Sequence, residues 1–149
     1  MEPVTLEGLP ENPVRPIDSA PIIYVLEDNR EFAAVLRPVF EAHAQHLARF
    51  AVTTTTLAQV LTGTLADRNE VPAERYRSTL GSWFVVGLDA EIAESAARLR
   101  ASSKLKLAGA VQAASALTIG ADALITHDRD WRLGVGIQDL RKPLKPKAN

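Results

Sequence analysis

Apolar residues repeat at helical spacing from Glu31 to Leu47, where Phe32, Val35, Leu36, Val39, Phe40 and Leu47 form a stripe that Pro38 interrupts or kinks. The same spacing returns in Leu57, Val60 and Leu61, in a segment that Pro72 opens and that runs through Tyr76 and Leu80, and in Ile92, Ala96 and Leu99. It returns again in Leu107, Ala110, Val111, Ala114, Leu117 and Thr118, after which Gly120 supplies a helix stop. Between these helices lie short apolar runs suited to strands: Val14 to Ile17, Phe50 to Val52, Trp83 to Val86, Ala123 to Thr126 and Val135 to Leu140. Pro13 and Pro16 remove donors that a central strand would use, which weakens the first. Strands alternating with helices predict an α/β domain with a parallel sheet covered on both faces.

The junctions carry the polar residues of interest. Asp18 and Ser19 precede Ala20 and Pro21, an arrangement that resembles an N-cap followed by proline in the first turn. Asp18 therefore reads either as a helix cap or as a site carboxylate at a strand-to-helix junction. The Thr53 to Thr56 run supplies hydroxyl caps for the next helix, and Asp89 caps a later one. The Ala123 to Thr126 run ends at Thr126, His127, Asp128, Arg129 and Asp130, which places two carboxylates and a cation where open parallel sheets put their ligand sites. His43 and His46 have no second ligand at convincing spacing and are expected on the helix surface rather than at a metal.

Composition narrows the classes. With 149 residues, 46% of them hydrophobic, the chain suits one domain with a sizeable core. A formal net charge of -1 and a pI near 6.3 argue against a broad basic surface, so a nucleic-acid contact would be a local patch. Without cysteine there is no disulfide framework or thiolate site. No apolar run approaches the roughly 20 residues of a membrane span. The N-terminus is acidic and proline-rich and lacks a signal peptide's basic and apolar regions, so the expectation is a soluble, cytoplasmic protein with no membrane partner. The expected organisation is an extended arm over 1–13, one domain over 14–141 and a basic tail over 142–149, either solvated or touching RNA phosphates.

Three segments together resemble the PIN domain family, and within it the VapC-like toxins of bacterial toxin–antitoxin modules. They are Ile17 to Glu27, Thr54 to Gly63 and Leu88 to Asp130. The last is the most specific, since a Leu-Asp-x-x-Ile-Ala opening, an Ala-x-Leu-Arg-Ala segment, Ala-Leu-x-x-Gly-Ala-Asp-Ala-Leu-Ile-Thr and a closing Asp-Arg-Asp-Trp occur in family order. The resemblance implies a three-layer α/β/α fold with a central, mainly parallel sheet of four to five strands. It also implies acidic residues converging at the sheet's C-terminal edge to hold Mg²⁺ or Mn²⁺, and hydrolysis of RNA by a metal-activated water. Carboxylates suit that task because hard divalent cations take oxygen ligands, lower the pKa of bound water and neutralise phosphate charge.

Carried over position by position, the resemblance matches the first acid to Asp18 and the last to Asp128, with Asp130 close enough to assist. Those three are the expected metal ligands. The helix-borne glutamate is replaced by Gln59, and the aspartate of the Leu-x-Leu-x-Asp-Ala pattern by Gly109. An amide keeps the shape of glutamate without its charge, and glycine offers no side-chain ligand. Metal-site geometry tolerates little slack, since misplacement by about 1 Å can cost on the order of a hundredfold in rate. The expectation is a PIN-like fold with weak or no nuclease activity; the alternative is a non-catalytic PIN domain that binds RNA or a partner protein. By resemblance, the partners are RNA, a cognate antitoxin and a second copy in a homodimer.

Two readings stand for each supporting residue. Ser19 and Thr126 either hydrogen-bond a ligand carboxylate or metal-bound water, or serve as cap and strand-end residues. Arg100 and Arg129 either hold an RNA phosphate or are surface cations. Trp83 and Trp131 are expected to pack in the core or an interface rather than stack on bases.

Overall fold

The computed structural model describes residues 14–121, 123–127 and, for the main chain, 136–139. The expected arm over 1–13, the tail over 142–149, and Asp128, Arg129, Asp130 and Trp131 lie outside the described residues.

The elements run β1 (Val14–Pro16), α1 (Ser19–Leu26), α2 (Ala33–Ala44), β2 (Arg49–Thr53), α3 (Thr54–Ala66), α4 (Glu70–Gly81), β3 (Phe84–Val86), α5 (Ala90–Ser102), α6 (Leu107–Thr118), β4 (Ala123–Thr126) and β5 (Gly136–Asp139). The mixed α/β architecture is the expected one. β1, β2 and β3 form a parallel sheet in that order, with Pro16 opposite Ala51 and Ala51 opposite Phe84. β4 pairs antiparallel with β5 and meets β1 at a single parallel bridge, Ile17 to Ile125. In place of one ladder of four to five strands there are thus two ladders joined at one point.

Pro16 explains the break. The amides of a parallel strand alternate between its two neighbours. Ile17 N–H donates to the Ala51 carbonyl of β2 at 3.0 Å, and Asp18 N–H donates to Ile125 of β4 at 2.9 Å. The nitrogen of Pro16 therefore faces β4 and has no proton to give, so pairing with β4 begins only at Asp18. That places Asp18 where the main chain leaves the sheet.

Alternation along β2 sorts the core into two layers. Phe50 and Val52 face one cluster with Ile17, Ile22, Leu36, Val39, Val60, Tyr76, Leu80 and Ile125, which packs α1 to α4 on the sheet. Ala51 faces the other with Ile92, Ala96, Leu105, Ala110, Val111, Ala113 and Ala114, which packs α5 and α6. α6 is buried from Gly109 to Ala116, and its small residues let it lie close against both neighbours. Its ends protrude: Leu107 is 59% exposed and Leu117 is also exposed, against the expectation from spacing, because burial here follows the sandwiching of the helix middle rather than a stripe. Gly120 ends α6 with φ +70, as a left-handed stop requires.

α2 starts at Ala33, because Asn29 Oδ1 accepts from Glu31 N and Phe32 N and closes a turn first; it then continues through Pro38 to Ala44. His43 is half-buried rather than on the surface. Its ring stacks on Phe50 at 4.3 Å, and its Nδ1 accepts from Phe50 N at 3.3 Å. Burial pushes its pKa down, with a smaller contribution from His46, against an opposing hydrogen bond to Ala48. Trp83 packs edge-on against Phe50 at 4.9 Å. The end of α1 is tied to α4 where the Tyr76 hydroxyl donates to Glu27 Oε1 at 2.8 Å.

Candidate functional site

At the C-terminal edge of the sheet, Asp18 caps α1 and is also the centre of a polar cluster. Its Oδ1 accepts from Ser19 N at 2.8 Å, the cap contact expected at a strand-to-helix junction. The same oxygen accepts from Gln112 Nε2 at 3.1 Å, and Oδ2 accepts from Thr126 Oγ1 at 3.2 Å. Asp18 therefore caps the helix through one oxygen while its carboxylate gathers side chains from α6 and β4. Thr126 takes the hydrogen-bonding role, and Ser19 contributes its main-chain N–H.

α3 adds the third wall. Thr53 caps it, with its hydroxyl accepting from Thr56 N at 3.0 Å and donating to Thr56 Oγ1 at 3.1 Å. Thr56 is fully buried, and its Oγ1 also accepts from Gln112 Nε2. Gln112 thus joins β1, α3 and α6 through one amide. It is 1% exposed, and its Oε1 finds no hydrogen-bond partner among the described residues. The orientation of the amide follows from the charge beside it, since an ionised carboxylate only accepts.

Among the described residues, the other expected ones make none of these contacts. Gln59 is exposed on α3, where Thr56, one turn earlier, turns inward instead. Gly109 is buried on α6, one turn before Gln112. Arg100 uses its Nε on the Leu105 carbonyl at 3.3 Å, closing the turn between α5 and α6. Asp128, Asp130 and Arg129 fall outside the described residues.

Beside the cluster, His127 follows Thr126, and the Tyr24 hydroxyl lies 2.8 Å from its Nδ1. Phe32 stacks on Tyr24 at 4.6 Å and lies 5.2 Å from the His127 ring. These three rings join the exit of β4 to α1. A separate cleft of about 500 Å³, lined by Leu26, Glu27, Asp28, Pro72, Arg75 and Tyr76, includes none of the expected site residues.

A divalent cation needs several hard oxygens converging on one point. Among the described residues no group of three Asp, Glu, His or Cys side chains converges. The one described carboxylate at this edge faces amide and hydroxyl donors. Among the described side chains Asp18 is the carboxylate available to a cation at this edge, and protein donors hold it in place; Asp128 and Asp130, the other expected ligands, lie outside the described residues. Gln112, Thr53 and Thr56 are the participants that sequence reasoning missed as site residues. Gln112's only signal is an amide among small residues on the helix that carries Gly109.

A search of the curated proteins finds no significant match. Among solved structures, a toxin–antitoxin complex from Klebsiella pneumoniae aligns with TM-score 0.61 and 24% identity over 76% of this chain and 86% of that one. VapBC-1 from nontypeable Haemophilus influenzae aligns with TM-score 0.61 and 22% identity over 87% and 99%. VapBC2 from Rickettsia felis, bound to a DNA fragment from its promoter, aligns with TM-score 0.61 and 13% identity over 77% and 87%. At these identities the likeness is one of fold, and it covers nearly all of the neighbours' chains. The PIN domain family model matches residues 17–133, from the strand that delivers Asp18 to beyond the one that delivers Thr126, and the chain belongs to the PIN domain family.

Proposed function

We propose that this chain is a VapC-like PIN domain that engages RNA at the C-terminal edge of its sheet, with metal-dependent hydrolysis reduced to little or none. One observation carries the reading: Asp18, matched to the family's first acid, is already engaged on both oxygens by Ser19, Gln112 and Thr126. Gln59 and Gly109 stand where the family's other acids are expected, one neutral and exposed, the other without a side chain. Asp128 and Asp130 complete the proposed acidic set; any Mg²⁺ or Mn²⁺ is held weakly or not at all, and no hydrolytic step follows from the described donors.

The satisfied carboxylate also favours the second reading, a non-catalytic PIN domain that binds RNA or a partner protein. The neighbours from Haemophilus influenzae and Rickettsia felis are VapBC assemblies, and that from Klebsiella pneumoniae is a toxin–antitoxin complex, which supports an antitoxin as partner here. A homodimer is proposed on the same resemblance. No helix among the described residues is long and apolar enough to cross a membrane, and a cytoplasmic location is proposed.

The test pairs RNA cleavage in Mn²⁺ with RNA binding by fluorescence anisotropy, in the native chain and in the Gln59→Glu, Gly109→Asp double variant. Binding with little cleavage in the native chain, and cleavage raised at least tenfold in the variant, support the proposal. Rapid cleavage by the native chain refutes the degraded site. Binding without cleavage in both proteins selects the non-catalytic reading, and absence of RNA binding in both removes RNA as the ligand.

A further inference from the structure

We propose that the Gln112 amide takes the place of the metal ion, locking Asp18 to α3 and α6 and making this pocket independent of divalent cations. The inference rests on reading the sheet edge as the PIN site, but it concerns a residue outside the family's acidic positions. Gln112 lies three residues after Gly109 on α6, so the two share a helix face. The helix turn that lacks its acid is followed by one that presents an amide.

The chemistry at that point is inverted. A PIN site that loads a cation presents acceptors to it, whereas Gln112 Nε2 presents N–H donors to Asp18 Oδ1 at 3.1 Å and to the Thr56 hydroxyl. The Thr56 contact is buried and the Asp18 contact half-buried, with Gln112 itself at 1% exposure, and a hydrogen bond to a charged group in such a place is partly shielded from competing water. The unpartnered Oε1 shows which end of the amide sets its position. Leaving a buried carbonyl unsatisfied is unfavourable, so the side chain is held by its two donor contacts. Those contacts cross-link three elements, as a bound ion would, with no ion to recruit.

The probe is Mn²⁺, whose unpaired electrons broaden nearby resonances. In the full-length native protein, labelled with ¹⁵N, the Gln112 side-chain N–H₂ and Ser19 N–H signals are expected to persist as Mn²⁺ is added, and the melting temperature is expected to be the same in Mn²⁺ and in EDTA. In Gln112→Glu two carboxylates meet at the former amide contact. This variant is expected to melt lower than the native chain in EDTA and to regain stability in Mn²⁺, with Ser19 N–H now broadened. Selective loss of the Gln112 and Ser19 signals in the native chain overturns the proposal, because the cation then reaches Asp18 despite the amide. A Gln112→Glu variant that folds but ignores Mn²⁺ also overturns it. If that variant does not fold, the native-chain spectra decide alone. RNA anisotropy is read separately, so loss of RNA binding refutes the functional reading while leaving the lock standing.

Discussion

The Thr126 hydroxyl lies 3.2 Å from Asp18 Oδ2, so the last residue of β4 fastens the second residue past β1 across a separation of 108 positions. Main-chain pairing between these strands is confined to one bridge, and this side-chain contact reinforces it. Thr126→Val keeps the shape and removes the donor. Loss of a hydrogen bond to a charged group costs about 1.5–3 kcal/mol, and this half-buried one falls toward the lower end, so the urea midpoint is expected to fall with the m-value unchanged.

Arg15 runs the opposite way. It is 4% exposed on β1, its Nε and Nη1 have no partner among the described residues, and burial pushes its pKa down. Replacing an unpaired buried charge with an apolar side chain of similar length is stabilising where unmet donors cost about 1–3 kcal/mol. Arg15→Met is expected to raise the melting temperature; a lower value would show that the guanidinium has a role in the folded protein.

Tyr76 supplies an alkaline signature. Burial first, and the hydrogen bond to Glu27 second, push its pKa up to about 12 from the ordinary 10.0. The folded state thus favours the neutral phenol, a contribution fully present below pH 10 and lost as pH rises through the folded value. Denaturation followed from pH 9 to 12 is expected to show declining stability, and Tyr76→Phe is expected to flatten that decline.

His43 supplies the acid counterpart. Its pKa lies below the ordinary 6.5, chiefly through burial against Phe50, so the folded state favours the neutral ring. That contribution is present above pH 6.5 and is lost as pH falls through the folded value. His43→Phe keeps an aromatic ring on Phe50 and is expected to remove the part of the stability loss that the native chain shows below pH 6.5, read from urea midpoints at pH 7 and 5.

Most elements could be read from periodicity because each buries one side against a single sheet, and Asp18 and Thr126 stood out because the pattern changes at strand ends. The single bridge between β1 and β4 was half legible: Pro16 announced a missing donor, but only the pairing directions show which neighbour loses it. Gln112 was hidden because its partners lie 94 and 56 positions away, on elements whose packing no local pattern encodes. Motif spacing pointed to Gln59, which lies exposed on α3 one turn after the buried Thr56, a difference that spacing alone does not display. His43 read as surface because its burial depends on Phe50 in the following strand.

Because Asp18 depends on donors as late as Gln112 and Thr126, the order of synthesis governs when its pocket closes. A nascent chain emerging N-terminus first exposes this carboxylate to water while α1 to α4 are already free to pack. Only after α6 and β4 have left the ribosome do their donors reach it, so closing the pocket belongs to the last stage of translation.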